Sequence, residues 1–227
     1  MKSSVIIFPG SNCDRDVAVA LEKFNIRNQM VWHEESTLPK SDLVILPGGF
    51  SYGDYLRTGC IASKSRIIND VIKHGKNRGL ILGICNGFQI LIESGLLPGA
   101  LLRNKRLRFI SKNIFLKVEN TNNIFCKNYR KKNIIELPIA HNEGNYFANN
   151  NVIKKLEDLN LVAFKYCNQE GKIETNSNPN GSSNNIAGIL NENKNILGMM
   201  PHPERSIDPQ LSGEDGSILF KGLLQSL

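Results

Sequence analysis

The residues Gly79-Leu80-Ile81-Leu82-Gly83-Ile84 form an unbroken apolar run that ends at a cysteine with glycines on either side. A short run without polar alternation is expected of a strand buried on both faces, the situation of a strand inside a parallel sheet covered by helices. Directly after it, residues 86–94 carry Phe88, Ile90 and Leu91 in a helical pattern and stop at Gly95. A buried strand feeding straight into a helix restricts the chain to an α/β fold, with three layers and a mostly parallel central sheet flanked by helices.

The remaining periodicity agrees. Strands are predicted at 4–8, 30–33 and 42–46. A helix is predicted at 14–24, where Val17, Leu21 and Phe24 share a face and Asn12 or Asp14 is available as a cap. Another is predicted at 62–74, with the stripe Ile67, Ile68, Val71 and Ile72 and stop signals at Gly75, Lys76 and Arg78. From about 101 to 136 the pattern turns short and β-rich (109–110, 114–118, 134–137), which predicts a small antiparallel excursion. A polar loop at 175–185 precedes closing strands at 186–190 and 196–200 and a last helix near 217–224. With 227 residues, 41% hydrophobic and 22% charged, one domain over 1–227 is expected.

Composition narrows the setting. No apolar run approaches the roughly 20 residues of a membrane span, and the N-terminus reaches Pro9-Gly10 too early for a signal peptide, so no membrane association and a cytoplasmic location are expected. Five cysteines without a C-x-x-C pair predict reduced thiols. His33, His74, His141 and His202 stand far apart and predict no metal. The net charge of +7 comes from scattered lysines, which reads as a solvated basic surface and not as a nucleic-acid site. Local bias remains at Arg103, Lys105, Arg106 and Arg108, and again at Lys127, Arg130, Lys131 and Lys132, and would suit a partner.

In Gly83-Ile84-Cys85-Asn86-Gly87, glycines on both sides permit a sharp strand-to-helix turn that presents Cys85 as a nucleophile at a helix N-terminus. The alternative is a small packed cysteine. Cys13, Cys60, Cys126 and Cys167 lack such a setting and are expected to be structural. In Met200-Pro201-His202-Pro203-Glu204 the prolines impose an extended chain in which His202 and Glu204 project together, giving a base and its orienter. His33 and His74 have no such company and read as surface or core filler. The glycine-rich turn Leu46-Pro47-Gly48-Gly49-Phe50-Ser51-Tyr52-Gly53-Asp54 presents backbone N–H groups; one at Gly49 or Phe50 could join that of Asn86 as an oxyanion hole. A phosphate loop is the alternative, but no Walker-type lysine follows.

Together these segments resemble the triad-type (class I) glutamine amidotransferases, whose elbow G-x-C-x-G-x-Q is matched by Gly83, Cys85, Gly87 and Gln89 and whose fold is flavodoxin-like. The blocks Phe8–Asp14, Pro47–Arg57, Pro138–Gly144 and Met199–Arg205 are similar to those of the glutaminase subunits of phosphoribosylformylglycinamidine synthases. The resemblance implies hydrolysis of L-glutamine through a γ-glutamyl thioester on Cys85, with His202 as base and Glu204 as its orienter. Gln89 would contact the glutamine, and Phe50, His141, Asn142 and Glu143 would frame its pocket. It also implies a synthetase subunit that takes the ammonia, a small accessory subunit, and a place in purine biosynthesis. No cofactor is expected in this chain; ATP and Mg are expected only on the synthetase, since no ATP-grasp or phosphate-loop pattern is visible. Two positions depart from the family pattern: Asn142 replaces a common Gly, and Phe109-Ile110-Ser111-Lys112 lacks a frequent second Cys. Competing readings are a γ-glutamyl peptidase, an amidotransferase serving another synthetase, and a redox-sensing or chaperone-like α/β protein with one reactive cysteine.

Overall fold

In the computed structural model, which describes residues 1–211 and 213–225, the chain runs β1 (Lys2–Ile7), α1 (Asp14–Lys23), β2 (Arg27–Trp32), β3 (Leu43–Leu46), α2 (Arg66–Lys76), β4 (Leu80–Ile84), α3 (Asn86–Glu93), β5 (Ala100–Leu102), β6 (Ile110–Val118), β7 (Ile134–His141), β8 (Asn145–Phe147), α4 (Asn150–Asp158), β9 (Val162–Cys167), β10 (Ile186–Leu190), β11 (Ile196–Met199) and α5 (Ser217–Leu224). Nine strands form one sheet in the order β2-β1-β3-β4-β11-β10-β9-β6-β7. The first five are mutually parallel, and the rest continue the sheet antiparallel.

β4 lies between β3 and β11 with Gly83 level with Leu46 on one side and Gly198 on the other, and every residue of β3 and β4 is buried. The continuous apolar run is therefore the sheet's centre. Because β1, β3, β4 and β11 point the same way, their carboxyl ends bring Phe8, Pro47, Cys85 and Met200 to one edge, where parallel sheets place their sites.

Several expectations change in detail. The helix expected at 62–74 is a 3-10 turn, Ala62–Lys64, followed by α2, because Ser65 is extended (φ −61°, ψ 149°) and becomes the N-cap; Gly75 then lies inside α2. Neither Asn12 nor Asp14 caps α1, whose N-cap is Cys13 without a side-chain bond. The antiparallel region takes two forms: β5 and β8 make a separate small sheet, while β6 and β7 extend the main one. The loop 175–185 is not wholly solvated: Asn180 is fully buried and donates to Gly144 O (2.8 Å) and Tyr166 Oη (3.1 Å). Among the described residues no helix is long and apolar enough to cross a membrane.

Candidate active site

Cys85 sits between β4 and α3 at φ 50°, ψ −105°, a conformation a non-glycine residue rarely adopts. Its N–H donates to Met199 O (2.8 Å), tying the turn to β11. The flanking glycines follow from close approach: a Cβ on Gly87 would overlap the Leu46 carbonyl, and one on Gly83 the Leu91 side chain. The thiol is nearly buried and donates to Ala140 O at 3.6 Å.

His202 leaves β11 with its N–H on Pro138 O (2.9 Å). Its Nδ1 is 2.6 Å from Glu204 Oε1, with both side chains almost wholly buried. Strand alternation is not what pairs them, as the sequence suggested. His202 is extended, but Pro203–Arg205 forms a 3-10 turn with proline at its start, and the turn folds the Glu204 carboxylate back onto the imidazole. Burial alone would depress the His202 pKa, yet the Glu204 carboxylate, with Cys85 and Cys13 beside the ring, outweighs it and raises the pKa well above the ordinary value. Nε2 is buried, with the Cys85 and Cys13 sulfurs beside the ring.

The glycine-rich loop packs over this pair. Gly49 has φ 139°, and a Cβ there would come within 2.7 Å of Asn12 N. Of the two oxyanion donors considered, the Phe50 N–H is taken by Gly10 O (3.1 Å), so Gly49 and Asn86 are the remaining candidates. Asn86 is the first residue of α3, where backbone N–H groups have no intrahelical acceptor. Its Oδ1 accepts from Ser51 N (3.3 Å), stapling loop to helix. A cavity of about 190 Å³ opens here, lined by Cys13, Gly49, Phe50, Phe109, Ala140 and His202 among others. A larger groove of about 530 Å³ lies elsewhere, between Leu96, Val152 and Leu190, and carries no nucleophile.

The expected glutamine-binding residues form a connected wall. The Gln89 amide accepts from Asn86 Nδ2 (2.9 Å) and donates to Glu143 O (2.7 Å). The Glu143 carboxylate accepts from Thr58 Oγ1 (2.8 Å) and pairs loosely with Arg103 (3.8 Å). Asn142 contributes its carbonyl, which accepts from Asn104 N (2.9 Å). Phe50 stacks on Phe109 with ring centroids 6.3 Å apart, both partly exposed.

Sequence reasoning missed three members. Asn104, hidden within the basic run, is fully buried: its Nδ2 donates to Arg108 O and His141 O, and its Oδ1 accepts from Gly144 N and His141 Nδ1. That pattern assigns the proton to His141 Nδ1. Burial, with the His202 charge, pushes His141 down to a pKa of about 4, so it is neutral with a bare Nε2. Asp54 is raised to about 6 by burial and then by the Glu143 charge. Cys13, expected to be structural, lines the cavity, and its sulfur accepts from Arg205 Nη2 (3.0 Å); the only signal was its place in the block Phe8–Asp14.

Residues 1–213 match the family model of the CobB/CobQ-like glutamine amidotransferase domain. The chain belongs to this family. Among these amidotransferases it groups with phosphoribosylformylglycinamidine synthase subunits called PurQ. It is 61% identical to that of Pelagibacter ubique over 227 residues, covering 100% of both chains. With that of Gloeobacter violaceus it shares 51% over 227 residues, covering 100% of this chain and 98% of the relative. In the solved structure of PurLQS from Thermotoga maritima, one chain superimposes with a TM-score of 0.87 at 41% identity, covering 99% of this amidotransferase and 97% of that chain.

Proposed function

We propose that the chain is the glutaminase subunit of phosphoribosylformylglycinamidine synthase, with Cys85 as nucleophile. His202 Nε2, whose raised pKa favours the imidazolium, holds the proton that Cys85 gives up, and the sulfur attacks the carboxamide carbon of glutamine. The oxyanion is held by the N–H groups of Gly49 and Asn86. The imidazolium then gives its proton to the departing nitrogen, releasing ammonia and leaving a γ-glutamyl thioester. Water, deprotonated by His202, attacks the thioester; glutamate leaves and the thiol regains its proton. Gln89, with the wall of Phe50, His141, Asn142 and Glu143, orients the substrate.

The observation that carries this reading is the buried 2.6 Å His202–Glu204 pair beside a cysteine on a strained elbow. It favours an imidazole that cycles a proton over the redox-sensor alternative, which needs no base. Ammonia released here passes to a cytoplasmic synthetase subunit, accompanied by a small accessory subunit. There ATP and Mg²⁺ drive amination of formylglycinamide ribonucleotide to formylglycinamidine ribonucleotide.

Reconstitution with the synthetase tests the assignment. Cys85→Ser is expected to abolish glutamine-dependent product formation while ammonium salts still support it. Loss of both activities in a correctly assembled complex, or survival of the glutamine-dependent one, would contradict it.

A further inference from the structure

We propose that the groove between Lys105 and the loop 175–185 binds a phosphate dianion, free or as the monoester of a small molecule, and that its occupancy tightens glutamine binding. The groove has a volume of about 540 Å³, the size of a small-ligand site, and is lined by Lys105, Arg106, Thr175, Asn176, Asn178 and Asn185 among others. No carboxylate lines it. The Glu174 carboxylate, next in the chain to Thr175, accepts instead from Asn168 Nδ2 (3.4 Å).

Lys105 and Arg106 are exposed, and solvation is the ordinary state of such residues. Here they stand over a fixed polar wall. Among the described residues neither side chain forms an ion pair or a hydrogen bond, and the Thr175 hydroxyl and the Asn176 amide are likewise unused. The wall holds its shape without a ligand. Asn178 Oδ1 accepts from Asn180 N (3.3 Å) and Gly181 N (2.8 Å), its Nδ2 donates to Ser182 O (2.8 Å), and Asn185 Nδ2 donates to Tyr166 O (3.1 Å). Groups ordered before a ligand arrives lose little on binding it. Two cations, a hydroxyl and an amide, with no competing carboxylate, suit a compact dianion with several acceptor oxygens, two of which a guanidinium can meet at once.

The groove backs onto the proposed glutamine wall. Lys105 N donates to Asn180 O (2.8 Å), and Asn180 Nδ2 donates to Gly144 O (2.8 Å). Gly144 N donates in turn to Asn104 Oδ1 (3.0 Å), and Asn104 N to Asn142 O (2.9 Å). A closed ring of hydrogen bonds thus joins Lys105 to the segment that carries Asn142 and Glu143. The loop also packs directly on the lysine: Gly181, at φ 92°, has no room for a side chain, since a Cβ would come within 2.8 Å of Lys105 Cβ. A dianion that draws Lys105 onto the loop favours the arrangement in which these bonds are made, and by linkage glutamine favours the dianion equally. The coupling, unlike the binding, rests on the proposed glutaminase function.

The test is calorimetric titration of the full-length chain with inorganic phosphate, AMP and adenosine, in wild type and Lys105→Gln. Salt of about 0.15 M screens the diffuse attraction of anions to a basic chain. Phosphate and AMP are expected to bind at one site per chain and adenosine not to bind, with both affinities at least about tenfold weaker in Lys105→Gln, where a charge-assisted contact is lost. AMP tighter than phosphate means a carried phosphate and equal affinity the free ion; either supports the site. No binding by wild type, adenosine as tight as AMP, or unchanged affinity in Lys105→Gln would overturn it. So would a Lys105→Gln chain that assembles poorly with the synthetase while wild type binds neither anion, which would give the groove to a carboxylate of the partner. In the assembled complex, AMP should lower the KM for glutamine about fivefold or more in wild type and not in Lys105→Gln. No shift in wild type, or an equal shift in both, would overturn the coupling. Titration needs no catalysis, so a chain that binds phosphate but hydrolyses no glutamine would refute the function and leave the site standing.

Discussion

Glu204 does its work through charge as much as position. Burial would strip the proton from His202, and the carboxylate at 2.6 Å keeps it there. Glu204→Gln retains a hydrogen-bond acceptor but removes the charge, so the imidazole pKa falls. The alkaline limb of the kcat/KM profile, where the imidazolium is lost, should then move to lower pH. The glutaminase rate should drop by about 10²–10⁴-fold, the range for loss of a comparable orienting carboxylate. Asp54 presents the opposite case. Its folded pKa of about 6 lies above the ordinary value of 3.8, so the folded state gains from its proton below pH 3.8 and loses that gain as pH rises through 6. Asp54→Asn should therefore raise stability at pH 8 by about 1 kcal/mol, a figure reduced for partial exposure, and have little effect at pH 3.5. Its φ of 56° is one asparagine tolerates, and denaturant unfolding at the two pH values checks the result.

The elements differ in how plainly their residues announce them. β4 and α3 were legible because an apolar run and a helical stripe meet at glycines whose close packing leaves no room for a side chain. Residues 145–167 were not read, although α4 carries a cap in Asn149, whose Oδ1 accepts from Val152 N (2.9 Å), and buries only Ile153 and Leu156. A short helix with so narrow an apolar face resembles a polar loop in the sequence. Asn104 was illegible for another reason: its role is to satisfy backbone groups of segments distant in sequence, which local pattern cannot show. Asn104→Ala leaves His141 Nδ1, Gly144 N and two carbonyls without partners. It should cost about 3 kcal/mol in equilibrium unfolding, as several buried groups lose bonds together, and raise KM for glutamine.

For the whole molecule, the parallel half of the sheet carries the proposed nucleophile, base and oxyanion donors together with Phe50 and Gln89, while the end of β7 in the antiparallel half brings His141, Asn142 and Glu143 to complete the wall. The triad residues were legible because each carries its own local geometry in glycine or proline; the glutamine wall rested on family resemblance, and Cys13 was missed because only the fold brings it to His202. Near the cavity the basic segment is exposed at Arg106, Leu107, Arg108 and Phe109, and Phe109 stacks on Phe50 of the loop over the site. Ammonia would be protonated in open water, so a synthetase is expected to cover this face. Reversing Arg103, Arg106 and Arg108 to Glu should weaken assembly at least about tenfold and increasingly so at low salt, measured by calorimetry or sedimentation. The most direct test of the central claim is intact-mass analysis after treatment with a diazo-ketone analogue of glutamine, with and without the synthetase. A single adduct that maps to Cys85, is lost in Cys85→Ser and is slowed in His202→Ala is the predicted result; an unlabelled Cys85 under both conditions would contradict it.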